Sequence, residues 1–332
     1  MKRYCLFALL LFSFFAQART EFRVVFYNVE NLFDCDHDSS KNDEEFLPSG
    51  LRGWTPTRFY NKIGKIGKVI SAIGVDDFPE LVGMAEVENA HCLRVLTQSS
   101  PLKNARYAFV HEESPDTRGV DVCLLYDRFR FQPLEHQVLK AHFKGEPNKK
   151  SRDVLHVKGL IDGRIQLHVF VCHFPSRLGG EAESETYRCQ VATQLRASID
   201  VLFESDPNTN VLIMGDFNDY PENRSLRTHL KAQVPKMPKK GESAGLFNLM
   251  FQVQGHGQEG THKNQAEWGF LDQFIVSTGL LPHSKGAKVF KSDFLLQPDD
   301  KWLGQKPYRT YNGYRWQGGF SDHLPIWLDL AF

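Results

Sequence analysis

Val211-Leu-Ile-Met-Gly-Asp-Phe-Asn218 sets four unbroken apolar residues directly before a glycine, a carboxylate and an amide. A short apolar run closed by turn residues suits a strand buried on both faces. The same grammar recurs along the chain. Arg23-Val-Val-Phe-Tyr27 runs into Asn28, Leu81-Val-Gly-Met-Ala85 into Glu86, and Ile165 to Cys172 into His173. Asp121 opens Val122-Cys-Leu-Leu-Tyr126, Asp272 lies within Phe270 to Val276, and Asp322-His323 precedes Leu324 to Leu330. Between these runs the period changes. Ile63, Ile66, Ile70 and Ile73 mark one helical face between Pro56 and Gly74, with proline near the start and glycine at the end. From Glu183 onward, Val191, Leu195, Ile199 and Leu202 recur at helical spacing. Doubly buried strands interleaved with helices predict an α/β layered sandwich. Val234 to Gly260, rich in Pro, Gly and Lys, reads as a surface excursion.

Composition supports a globule. The 332 residues carry 40 basic and 40 acidic side chains and are 41% hydrophobic, which excludes disordered, fibrous and repeat classes. Lys2 and Arg3, the apolar run Tyr4 to Phe15 and Ala16-Gln17-Ala18 form the three parts of a secretory signal peptide. Residues 1–18 are therefore expected to be cleaved, leaving one exported domain, 19–332. Cleavage takes two of the 40 basic residues and leaves a net charge of −2, with no global field to attract nucleic acid. Nothing later is long and apolar enough for a stable membrane span, and a monomer is expected. Five cysteines remain (Cys35, Cys92, Cys123, Cys172 and Cys189), an odd number without a CxxC pair.

Taken singly, each polar strand end is explained by the local turn it caps. Together they gather an amide, five carboxylates and two imidazoles beside rigid strands. So many acids in one cleft require a cation, and hard oxygen donors point to Mg²⁺, Mn²⁺ or Ca²⁺ rather than zinc.

These segments resemble the endonuclease/exonuclease/phosphatase superfamily. The resemblance is carried by Phe26-Tyr-Asn-Val-Glu-Asn31, Met84-Ala-Glu-Val-Glu88, Arg118-Gly-Val-Asp121, Cys172-His-Phe-Pro175, Gly215-Asp-Phe-Asn218, Leu271-Asp272 and Ser321-Asp-His323. It implies a four-layer α/β sandwich of two packed sheets flanked by helices. It also implies a metal-dependent phosphoric ester hydrolase using in-line water attack. Glu86, Asn28 and Asp322 would hold Mg²⁺, with Mn²⁺ as a substitute. Asp216 would position or deprotonate the water, Asn218 hold a phosphate oxygen, Asp272 fix His323, and His173 stabilise developing charge. Either Asp216 or His323 serves as base. Asp121 falls near the scissile phosphate, and Arg118 is a phosphate clamp or an exposed loop arginine.

Two features depart from the best-known members. Pro175-Ser-Arg-Leu-Gly-Gly180 resembles exported bacterial members, and Arg177 reads as a phosphate contact or a turn arginine. Asp34, Asp36, Asp38 and Glu45 carry calcium-loop spacing, but Ser39 replaces the turn glycine, so a solvated acidic loop is the reading rather than a Ca²⁺ site. The leading substrate is a phosphodiester, with DNA or RNA cut by an endonuclease. The alternative is a phospholipid, sugar phosphate or other small ester; a non-catalytic binding protein ranks last. Lys62, Lys65 and Lys68, with Lys236, Lys239 and Lys240, are the basic clusters, and Trp54, Trp268, Tyr311 and Trp316 the candidate stacking rim.

Overall fold

The computed structural model describes residues 21–237, 244–254 and 260–332. Residues 1–18, read above as a signal peptide, and Lys239 and Lys240 lie outside the described residues. Two large sheets face each other. The first contains β1 (Glu21–Leu32), β2 (Leu81–Val87), β3 (Tyr107–His111), β4 (Asp121–Asp127), β14 (Ser284–Val289) and β19 (Ile326–Ala331), in the order β14-β19-β1-β2-β4-β3. The second contains β5 (Phe131–Leu139), β6 (Val154–Ile161), β7 (Ile165–His173), β8 (Val211–Asp216), β9 (Ala232–Gln233), β10 (Leu246–Asn248) and β13 (Asp272–Ser277), in the order β5-β6-β7-β8-β13-β10-β9. Three two-stranded ribbons sit outside them: β11 (His262–Asn264) with β12 (Glu267–Gly269), β15 (Leu296–Pro298) with β16 (Gln305–Pro307), and β17 (Tyr311–Asn312) with β18 (Arg315–Trp316).

The strands are apolar on both faces because both faces are covered. Alternate residues such as Val24, Phe26, Leu81, Leu124, Val169, Val171, Leu212, Met214, Phe274 and Leu328 fill the seam between the sheets. Their neighbours Val25, Val82, Met84 and Cys123 face outward with α1 (Pro56–Gly74) and α2 (Ala90–Ser99). On the far side, Phe170, Cys172 and Ile213 pack with Val191, Leu195 and Ile199 of α3 (Glu181–Ser205). Helix, sheet, sheet and helix make the expected four layers. Each fully buried large apolar side chain contributes roughly 1.5–3 kcal/mol, whereas an exposed ion pair gives about 0–1, so the three apolar layers hold the fold.

Two readings are corrected here. The 234–260 excursion includes β10, which pairs antiparallel with β13, and α4 (Met250–Gln254), whose preceding residue Leu249 and own Met250 and Val253 enter the seam. Its high loop-residue content masked buried apolar residues at its centre. Lys62 is fully buried rather than part of a solvated basic face, and it donates to Thr310 Oγ1 (2.5 Å) and Phe320 O (2.6 Å). All five cysteines are free thiols, four of them buried. Among the described residues no helix is long and apolar enough to cross a membrane.

Candidate active site

The seam is apolar along its length and polar at one end. His173 on β7, Asp216 on β8 and Asp272 on β13 are lateral neighbours, since β7 pairs His173 with Asp216 and β13 pairs Asp272 with Asp216. All three share the parity of the seam-facing Val171, Met214 and Phe274, so their side chains emerge on the inter-sheet side. Asn28 on β1 continues Val24 and Phe26 in the same way. Glu86 breaks the rule. Its parity matches outward-facing Met84, but its backbone turns left-handed (φ 65°) at the register shift between Ala85 and Val87. That bulge re-aims the carboxylate into the cleft.

The cleft has a volume of about 280 Å³, and Glu86, Arg118, His173, Asp216, Asn218, Asp322 and His323 all line it. Asp216 is its floor. Oδ1 accepts from Asn218 N (2.9 Å) and Oδ2 from Asn28 Nδ2 (3.1 Å). Oδ2 also lies between two imidazoles, 3.7 Å from His173 Nε2 and 3.8 Å from His323 Nε2. Asp272 Oδ2 holds His323 Nδ1 at 2.7 Å, fixing the ring so that Nε2 faces Asp216. Ser321 Oγ donates to Asn28 O and accepts from His323 N, tying the two strand ends together.

Burial and charge divide the protons. Burial pushes the Asp216 carboxyl up to about 6, against the pull of His323. Burial disfavours a charged His323, but the carboxylates of Asp272 and Asp216 outweigh it and hold its pKa well above the ordinary histidine range. His173 goes the other way: burial and then the Arg152, Arg118 and His323 cations keep it neutral. Neighbouring imidazoles thus carry opposite protonation states at neutral pH.

The donors present fit a hard divalent cation. Among the described residues nothing hydrogen-bonds to Glu86 Oε1 or Asp322 Oδ1, while the opposite oxygens accept from Asn31 N (3.0 Å) and Arg309 Nη2 (2.9 Å). Two anchored carboxylates, each offering one oxygen to the same cleft, are donors that a hard divalent cation accepts. Asn28 Oδ1 accepts from Glu30 N (3.0 Å), which leaves it one lone pair.

One expected residue lies outside the cleft, and two others line it with donors already engaged. Asp121 does not line the cleft; it is fully buried, accepts from Ser114 N and faces His111. Its parity on β4 is that of outward-facing Cys123. Arg177 reaches the cleft wall with its donors committed to Asn218 O (2.7 Å), Glu181, Asp219 and Asn223, and it stacks on Tyr220. It therefore braces the loop after β8. Asn218, left-handed at φ 50°, lines the cleft but donates its amide to Phe174 O (3.1 Å). Arg118 does reach the mouth, with its side chain half exposed.

Sequence reasoning missed His262, Ser176, Tyr220 and Asn264, which also line the cleft. His262 bridges to His323, its ring 4.8 Å away, and Thr261 accepts from Asp272 N. No local pattern announces such a contact across 61 positions, although a polar Thr-His pair ahead of Asp272 was a faint signal. None of the four candidate rim aromatics lines the cleft: Trp54 and Tyr311 are buried, Trp268 and Trp316 pack partly buried on the same apolar cluster, and Trp54 meets Trp316 edge-on.

Comparison with known proteins gives the same answer as the geometry. Solved structures of similar fold include a mannosyl-6-phosphatase of Bacteroides thetaiotaomicron (16% identity, TM-score 0.58, covering 94% of this chain and all of that one). The human Nocturnin catalytic domain with bound sulfate anion matches at 14% identity and TM-score 0.57, over 95% of both chains. TDP2 of D. rerio complexed with single strand DNA product matches at 12% and 0.56, over 95% of this chain and all of that one. No curated protein sequence matches significantly. Residues 23–331 match the model of the Endonuclease/Exonuclease/phosphatase family, and the chain belongs to that family of phosphoric ester hydrolases.

Proposed function

We propose that this chain hydrolyses phosphate esters by in-line attack of water, with a divalent cation, Mg²⁺ or Mn²⁺, held by Glu86 and Asp322 and supported by Asn28. The observation that carries the reading is Asp216 Oδ2 set between the Nε2 atoms of His173 and His323 beneath two carboxylate donors. Bound there, the cation would neutralise phosphate oxygens and polarise the phosphorus. Asp216, ionised above about pH 6, orients the water and takes its proton. His323, cationic and locked by Asp272, donates from Nε2 to the developing negative charge. Neutral His173 contributes a second donor from the opposite side.

The cleft volume, the buried Trp54 and Tyr311 and the commitment of Arg177 favour a small phosphate ester over a stacked polymer. The endonuclease reading stands second; its support is the half-exposed Arg118 at the mouth, where a further backbone phosphate would lie. Export after cleavage near Ala18 belongs to the same proposal. The test is hydrolysis of supercoiled plasmid, bis-p-nitrophenyl phosphate and p-nitrophenyl phosphate with Mg²⁺, Mn²⁺ or chelator. Metal-dependent cleavage of the small esters alone supports the first reading, and plasmid nicking supports the second. Inertness on all three counts against both.

A further inference from the structure

On the outer face of the first sheet, away from the cleft, a second group of side chains converges without a task in the chemistry above. His111 ends β3, Asp121 opens β4 and Glu113 lies in the loop that joins them. His111 Nε2 and Asp121 Oδ2 face each other at 3.3 Å, with side chains 4% and 0% exposed, yet neither atom makes a hydrogen bond. The other Asp121 oxygen accepts from Ser114 N at 2.8 Å, which fixes the carboxylate and aims the orphaned oxygen. A Glu113 carboxylate oxygen completes the group, and the three ligand atoms all lie within 4.8 Å of one another. The nearby Lys41 ammonium donates to Ser114 O (2.7 Å) and Asp116 O (3.2 Å) and offsets part of the Glu113 charge without reaching the orphaned atoms.

Leaving a buried polar atom unpaired costs about 1–3 kcal/mol, so two pointing at one spot call for a partner between them. Donors about 2.0–2.1 Å from a tetrahedral zinc stand roughly 3.4 Å apart, close to the spacing of Nε2 and Oδ2. One imidazole with two carboxylates is a borderline set that takes zinc more readily than the oxygen donors of the cleft do. The site opens towards a cavity of about 370 Å³ whose lining includes Asp34, Asp36, Glu88 and Glu113. That acidic lining draws cations inward.

We propose that His111, Glu113 and Asp121 bind a divalent cation of the zinc class at a site separate from the catalytic cleft, with water as the fourth ligand. The ion ties together the two ends of the loop that carries Arg118 to the mouth of the cleft. This proposal does not depend on the catalytic reading.

The test is calorimetric titration of the chelator-stripped chain with Zn²⁺ in excess Mg²⁺, paired with the visible spectrum of the Co²⁺-loaded protein. Glu113 is exposed, so Glu113→Gln removes a ligand without touching the core; His111→Phe is the second variant. One zinc site is expected, weakened roughly tenfold or more by either substitution, with loss of the cobalt bands. The site is expected to survive in Glu86→Gln/Asp322→Asn. No zinc binding by the unsubstituted chain would overturn the proposal. So would zinc binding that persists in both Glu113→Gln and His111→Phe but disappears in Glu86→Gln/Asp322→Asn.

Discussion

Asp216 accepts from Asn218 N through one oxygen and from Asn28 Nδ2 through the other while facing two imidazoles, so an amide in its place keeps the size and one accepted bond but loses the other and the base. Asp216→Asn is therefore expected to lower kcat by on the order of 10²–10⁴ with an unchanged circular dichroism spectrum. Loss of the folded spectrum would instead make Asp216 structural. Asp219 makes a different case. It is buried, lies 2.8 Å from the Nε of fully buried Arg188 and accepts from Ser225 Oγ (2.6 Å). Asp219→Ala strands a buried cation and is expected to destabilise by about 3–5 kcal/mol in urea unfolding. A loss under 1 kcal/mol would mean that the Arg188 bonds to Ser184 Oγ and Glu181 O suffice. At this scale the sequence was readable where a polar residue ends an apolar run: Asn28, Glu86, His173, Asp216 and Asp322-His323 all lie at the cleft or bond directly to its floor. It was unreadable where position depends on a distant partner, as for His262 against His323 or Arg177 within its own loop.

β6 and β7 carry a pH dependence unrelated to catalysis. His156 Nε2 and His168 Nδ1 are 2.9 Å apart, their rings stacked, with Phe170 stacked beneath His156. Burial, reinforced by His168, lowers His156 to about 4 from an ordinary 6.5, and burial lowers His168 too. Both are thus favoured neutral in the fold. For His156 the contribution is complete above about pH 6.5, declines as the unfolded chain takes up protons, and is gone near pH 4; His168 weakens in the same direction. For His156 the loss is on the order of 3 kcal/mol. His156→Phe is expected to flatten the acid limb of a stability–pH curve from denaturant melts; an unaltered limb would assign it elsewhere. The same scale shows how far pattern reading carries. The α1 stripe of Ile63, Ile66, Ile70 and Ile73 was legible because periodicity and terminal signals agreed, and all four residues are buried. β10 was not, because three residues inside a Pro- and Gly-rich stretch are too few to show a period. Nor does alternation foresee the Glu86 bulge, which exists because of the pairing on both sides of β2.

For the whole molecule, one construction serves stability and chemistry. Two sheets press apolar faces together, and at one end the same inward-facing positions turn polar, so the strands that fill the core also set the distances around Asp216. This explains why order along the chain sufficed to recognise the family while the selectivity of the cleft did not emerge: the first depends on strand ends, the second on loops packed from far apart. The most direct measurement is bis-p-nitrophenyl phosphate hydrolysis by the purified chain with Mg²⁺, with excess chelator, and after Asp216→Asn. Turnover present with Mg²⁺ and lost in both other conditions is expected. Equal turnover in all three would contradict the reading of the cleft as a metal-assisted phosphoesterase site built around Asp216.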